Sequence, residues 1–68
     1  MEISKCIKDA RQNNNISQES LAKQLGVSRQ TISSWENGKS YPDLVSIIKM
    51  SDIFNILIAG HFYNRMFY

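Results

Sequence analysis

Cysteine is scarce in this chain, and the shortage excludes a good deal. Cys6 stands alone, so no internal disulfide can staple the fold. The single histidine, His61, has no second ligand one turn away, and no Cys/His cluster has metal-site spacing. Neither a metal nor a cofactor is expected. No stretch approaches the roughly 18 consecutive apolar residues that a membrane-spanning helix requires, and the N-terminus lacks the apolar run of a secretory signal. A protein of a reducing cytoplasm, away from membranes, is the expectation. There is no nucleophile–base pair, no pair of carboxylates at suggestive spacing and no glycine-rich phosphate loop. An enzyme is therefore not expected.

What is present is short and moderately apolar. Sixty-eight residues with 43% hydrophobic content bound one small domain with a thin core. Such a chain needs good helix packing or self-association to be stable. The formal net charge of +2 suits an anionic partner without identifying one. Ile3, Ile7 and Ala10 recur at helical spacing with Cys6 beside them, which predicts a first amphipathic helix. Cys6 reads as a small filler of that face. The run Asn13-Asn14-Asn15 reads as the loop that follows.

The stretch Ser17 to Lys39, SQESLAKQLGVSRQTISSWENGK, organises the rest. Ser17 is a good N-cap, with Ile16 and Leu21 placed as a hydrophobic staple around it. Gly26 suits the left-handed position just past a helix end. Val27, Ser28 and Ile32 then repeat staple, cap and staple partner for the next helix, which Asn37-Gly38 ends. Two short helices joined by so tight a turn must cross steeply, as a helix-turn-helix does.

The second of these helices has two unlike faces. At ~100° per residue, Ile32 and Trp35 point one way and Gln30, Ser33 and Ser34 the other. Arg29 and Gln30 lie in the first turn and project beyond the helix end. Trp35 is expected in the core, where burial of its ring dominates packing. The outward set holds a guanidinium, a carboxamide and two hydroxyls, with no acid before Glu36. Arg29, Gln30, Ser33 and Ser34 thus offer the kinds of group that read base edges in a DNA major groove, and base reading is the expectation for them. A merely solvated face would mix Glu and Lys.

With Ile3, Ile7 and Arg11 upstream, SQESLAKQLGVSRQTISSWENGKSYPD in the middle and LVSIIKMSDIFN downstream, the chain closely resembles the Cro/repressor type of helix-turn-helix domain, the Xre-like family. The resemblance covers roughly four-fifths of the sequence. It implies an all-α fold, a compact bundle of four to five short helices of the lambda-repressor-like kind. It also implies sequence-specific binding of double-stranded DNA and transcription regulation, usually as a homodimer, in a bacterial or phage-type cytoplasm. By the same resemblance Arg11 pairs with Glu36, fixing the first helix to the end of the recognition helix. Gln18, Ser28 and Asn37 are carried over as phosphate contacts, with Lys39 adding charge and the Tyr41 hydroxyl within reach. Such contacts set register and carry no sequence information. Ala10 departs from the family pattern, standing where a larger aliphatic residue is usual.

Ser40-Tyr41-Pro42-Asp43 reads as the start of a fourth helix, with Pro42 at its first position and Asp43 at its positive end. Leu44, Ile47, Ile48, Ser51 and Phe54 form the expected inward stripe, leaving Val45 and Ile53 outside it. The tail from Asn55 departs from the family pattern, lacking the usual polar cap and having no acidic residue after Asp52. Ile58, Phe62 and Met66 nevertheless repeat at i+4, as do Ala59, Tyr63 and Phe67. Residues 56–68 are therefore expected to form a fifth helix whose broad apolar face, with Ile53, makes a dimer interface. A shifted reading frame or a truncated chain is the bland alternative. The whole chain, 1–68, reads as one DNA-binding domain. A repressor that binds a palindromic operator as a homodimer is the leading reading. The alternative is an antitoxin-like or adaptor module that grips a protein partner through its apolar C-terminal helix.

Overall fold

A computed structural model describes residues 2–54, which form four helices. These are α1 (Ile3–Asn13), α2 (Gln18–Leu25), α3 (Arg29–Glu36) and α4 (Leu44–Ile53). α3 packs against both α1 and α2, and α4 lies on α2. The expected fifth helix, with Ile58, Phe62, Tyr63, Met66 and Phe67, lies outside the described residues.

Each link between the first three helices is made by chemistry a few residues long. Ser17 accepts from the Ser20 N–H at 3.0 Å and Ser28 from the Thr31 N–H at 3.1 Å, so both serines are caps. The helix ends share one device. Just past each helix, one residue reaches back five positions: Ile16 N–H to Arg11 O at 3.0 Å, Val27 to Ala22 at 3.0 Å and Lys39 to Ser34 at 2.9 Å. The residue before it bonds one turn back, from Asn15 to Gln12, Gly26 to Lys23 and Gly38 to Trp35. These are Schellman closures, which need a left-handed residue at the hinge. Asn15 (φ 57°), Gly26 (φ 72°) and Gly38 (φ 72°) supply it. The asparagine run is thus partly helical, since Asn13 ends α1 and Asn15 makes the turn. Ile16 and Val27 each end one helix and staple the next, which is why the links are so short.

The start of α4 differs from expectation. Asp43, not a residue before it, is the cap, accepting from the Ser46 N–H at 3.0 Å. Pro42 stands one place before the cap and is buried. The reason is local: Pro42 at the first helical position would leave Tyr41 as the cap, and Tyr has no short acceptor to offer. The Ser46 hydroxyl and backbone N–H hold the Asp43 carboxyl below the usual carboxylate range.

The core gathers Ile7, Ala10, Leu21, Ala22, Leu25, Ile32, Trp35, Met50 and Phe54. Ile3, Ile16, Val27, Ile47 and Ile53 pack against it from half-buried positions. Ala10 is buried despite its size, and Cys6 is half-buried beside it. On α4 the inward stripe is Ile47, Met50 and Phe54, flanked by Ile53. That is a rotation of roughly 80° from the expected stripe at ~100° per residue. Leu44 (71% exposed) and Ile48 (50%) face outward with Val45. Apolar residues stand all round α4, so periodicity alone cannot choose its buried face. Met50 and Phe54, almost fully enclosed, make that choice in three dimensions.

Candidate nucleic-acid interface

The outer surface of α3 is positioned from within. Ile32 is fully buried and Trp35 nearly so, which fixes the rotation of the helix about its axis. Arg29 and Gln30 are consequently exposed, and Ser33 and Ser34 lie half-buried between them and the body of the domain. The groups expected to touch DNA converge. Arg29, Gln30, Ser33, Ser34, Asn37 and Lys39 line one shallow concavity of about 170 Å³. Its lining holds two cations, two carboxamides, two hydroxyls and no carboxylate.

Small hydrogen bonds set this surface. Asn37 Nδ2 donates to Ser33 Oγ at 3.2 Å. The hydroxyls of Ser34 and Ser40 share a hydrogen bond at 2.8 Å, joining α3 to the segment that follows it. Ser40 is therefore a neighbour of the surface that the linear pattern does not single out, because nothing in its spacing sets it apart from a loop serine. Ser28 is committed to capping and also shares a hydrogen bond with the Thr31 hydroxyl at 2.9 Å.

The acid of α3 is turned away from this concavity. Glu36 Oε2 accepts from Arg11 Nε at 2.6 Å and Glu36 Oε1 from Arg11 Nη2 at 3.1 Å, a two-point fork. The side chains are 2% and 12% exposed respectively. Arg11 also donates through Nη1 to the Ile16 carbonyl at 2.8 Å, tying the start of α2 to the same pair. The Glu36 carboxylate holds the Arg11 guanidinium charged, raising its pKa against the opposing effect of burial. Glu36 thus adds no bare negative charge to a surface meant for an anionic partner.

Three of the expected phosphate contacts, Ser28, Tyr41 and Gln18, stand outside the concavity. Tyr41 is 77% exposed but does not line the concavity. Gln18, half-buried at the first position of α2, donates from Nε2 to Glu36 Oε1 at 3.1 Å. Its Oε1 faces Arg29 Nη1 at 3.5 Å. Among the described residues, no group of three or more His, Cys, Asp or Glu side chains is placed to hold a metal ion. No described helix is long and apolar enough to cross a membrane.

The helix-turn-helix family profile matches residues 7–59 of the chain. Over 58 residues, 85% of its length, the chain is 43% identical to the HTH-type transcriptional activator BcrR of Enterococcus faecalis, of which it spans 28%. It is 48% identical over 48 residues to an HTH-type transcriptional regulator of Methanocaldococcus jannaschii, covering 71% of this chain and 73% of that protein. A similar regulator of Archaeoglobus fulgidus is 43% identical over 56 residues, covering 82% of this chain and 79% of its own length.

Proposed function

Because the chain belongs to the Xre-like helix-turn-helix family of DNA-binding transcription regulators, we propose that it recognises one duplex sequence by laying α3 in the major groove. The convergence of Arg29, Gln30, Ser33, Ser34, Asn37 and Lys39 on one acid-free concavity carries this reading. Arg29, Gln30, Ser33 and Ser34 are assigned to base edges, where a guanidinium suits guanine, a carboxamide adenine and a hydroxyl either. Ser28, Asn37, Lys39 and Tyr41 are assigned to phosphates on either side.

The protein acts as a homodimer on an imperfect palindrome, with half-site centres roughly 34 Å apart. Leu44, Val45 and Ile48 support self-association, since three adjacent exposed aliphatics on one helix are unusual for a solitary domain. We assign repression as the regulatory sign: a domain seated on its operator excludes polymerase from the same DNA by occupancy alone. The Enterococcus faecalis relative is named an activator, so a reporter fused to the operator decides the sign for this chain.

Selection of bound sequences from a random duplex pool tests the reading as a whole. An enriched inverted repeat with half-sites one helical turn apart is the expected result. Retention of the pool without enrichment would end the case for sequence recognition.

A further inference from the structure

We propose that Asn37-Gly38 is a spontaneous deamidation site within the concavity, kept in its amide form by the hydrogen-bonded closure at the end of α3. Conversion there disables the surface for an anionic partner. That second half rests on the reading of the concavity as a DNA surface.

Two features place the chemistry at this pair. Asn37 is exposed and is followed by a glycine, whose missing Cβ leaves the path to its nitrogen unobstructed. The space around Gly38 is open too. Beyond its chain neighbours, the nearest atom to where a Cβ would stand is Ser4 Oγ, at 4.0 Å. Hydroxide removes the Gly38 amide proton, and the nitrogen attacks Asn37 Cγ. The new N–Cγ bond closes a five-membered succinimide as the Cγ–Nδ2 bond breaks, and ammonia leaves with a proton from water. Water then opens the ring at either carbonyl, to an aspartate or an isoaspartate. Neither step is a redox step.

The fold holds these reactants apart. Ring closure needs the Gly38 nitrogen eclipsed with Asn37 Cβ, and a ψ of 3° at Asn37 turns it away. The Gly38 N–H is committed to the Trp35 carbonyl at 3.2 Å, and the Lys39 N–H to Ser34 at 2.9 Å. Asn37 Nδ2 is drawn back over α3 by Ser33 Oγ at 3.2 Å. The reaction therefore waits on local opening of the α3 terminus.

The product is chemically wrong for its place. Asn37 lines a concavity that holds two cations and no carboxylate. A carboxylate there repels phosphate, donates no hydrogen bond, and competes with a base edge for the Ser33 hydroxyl proton. The isoaspartate also adds a methylene to the main chain between Asn37 and Gly38. Both closing hydrogen bonds span that link, so their spacing is broken.

Peptide mass mapping of the full chain, held at mildly alkaline pH, tests the chemical half without DNA. Asn37 should gain the mass of amide-to-acid conversion. Asn13 and Asn14, equally exposed but followed by asparagine, should stay amides. In urea the conversion at Asn37 should run at least about tenfold faster than in the folded protein. Asn37→Gln should abolish it, because a six-membered ring closes far more slowly. An intact amide in urea would overturn the site, and equal rates folded and unfolded would overturn the protection by the closure. For the functional half, the converted fraction is separated by its added negative charge. It should bind the selected operator about tenfold or more weakly than the amide form, and Asn37→Asp should be weakened as well. Unchanged affinity in the converted fraction would overturn that half, and an unweakened Asn37→Asp would overturn its electrostatic cause. If the amide form itself enriches no sequence from the duplex pool, the DNA reading fails, while the mass mapping still decides the chemistry.

Discussion

Replacing Arg11 by alanine removes more than one bond. Both contacts to Glu36 are lost, and so is the 2.8 Å bond from Nη1 to the Ile16 carbonyl. Glu36 stays behind, 2% exposed, with the Gln18 amide as its remaining donor. Removing one partner of a buried pair costs about 3–5 kcal/mol, chiefly because the other charge is stranded. Arg11 keeps 12% exposure, which admits some water, so we expect about 2–4 kcal/mol here. A domain this size holds only about 3–10 kcal/mol in total. Each kcal/mol moves the melting temperature by roughly 4–8 °C, so Arg11→Ala should melt about 8–30 °C below the parent. Thermal and urea unfolding followed by circular dichroism would measure it. The paired variant Arg11→Met with Glu36→Leu isolates the cause. Replacing both partners by apolar groups of similar shape leaves no stranded charge and should recover most of the loss. A single variant that melts within a few degrees of the parent would refute the reasoning. So would a paired variant as unstable as the single one, since stranding of Glu36 would then not be the cost.

Arg29→Ala should weaken operator binding by about 1–3 kcal/mol and relax specificity at one base position, as competition binding with single-base operator variants would show. Lys39→Ala should instead weaken all sequences alike and reduce the slope of log affinity against log salt by about one. Asp43 has a carboxyl held below its ordinary pKa in the fold, so its stabilising effect is present above about pH 4 and lost as pH falls through the folded value. Asp43→Asn should keep the cap and flatten that acid limb of the stability–pH curve, and an unchanged limb would exclude Asp43 as its source. Asn15 sits at φ 57°, so Asn15→Ala should cost about 1–2 kcal/mol in urea unfolding, whereas Asn15→Gly should not. Ile48→Lys places a charge at a half-exposed position; it should leave the fold intact and shift sedimentation toward monomer if this face joins two copies.

Some features of the fold were written within a few residues of where they act. Ser17 and Ser28 cap their own first turns, and Gly26 and Gly38 take a backbone region closed to most side chains. Hydrogen bonds three to five residues long settle these points, so neighbouring residue types suffice to read them. Asp43 belongs to the same class, although Pro42 beside it competes for the reader's attention. The Arg11–Glu36 pair spans 25 positions and is visible beforehand only through likeness to a family. Gln18 as its third member is invisible beforehand, because an amide's choice between a carboxylate and a phosphate depends on where each lies.

The contrast between α3 and α4 marks the boundary. On α3 the large apolar residues, Ile32 and Trp35, stand three apart on an otherwise polar helix. Only one rotation buries both, so the outward set was determined by the sequence alone. On α4 seven of the eleven residues from Leu44 to Phe54 are apolar. Several rotations bury comparable area, and local pattern cannot rank them. The shape of the space above α2 decided it, enclosing Met50 and Phe54 and leaving Leu44, Val45 and Ile48 outside. Burial is a property of the assembled surface, and a helix with no polar side takes its orientation from what it packs against.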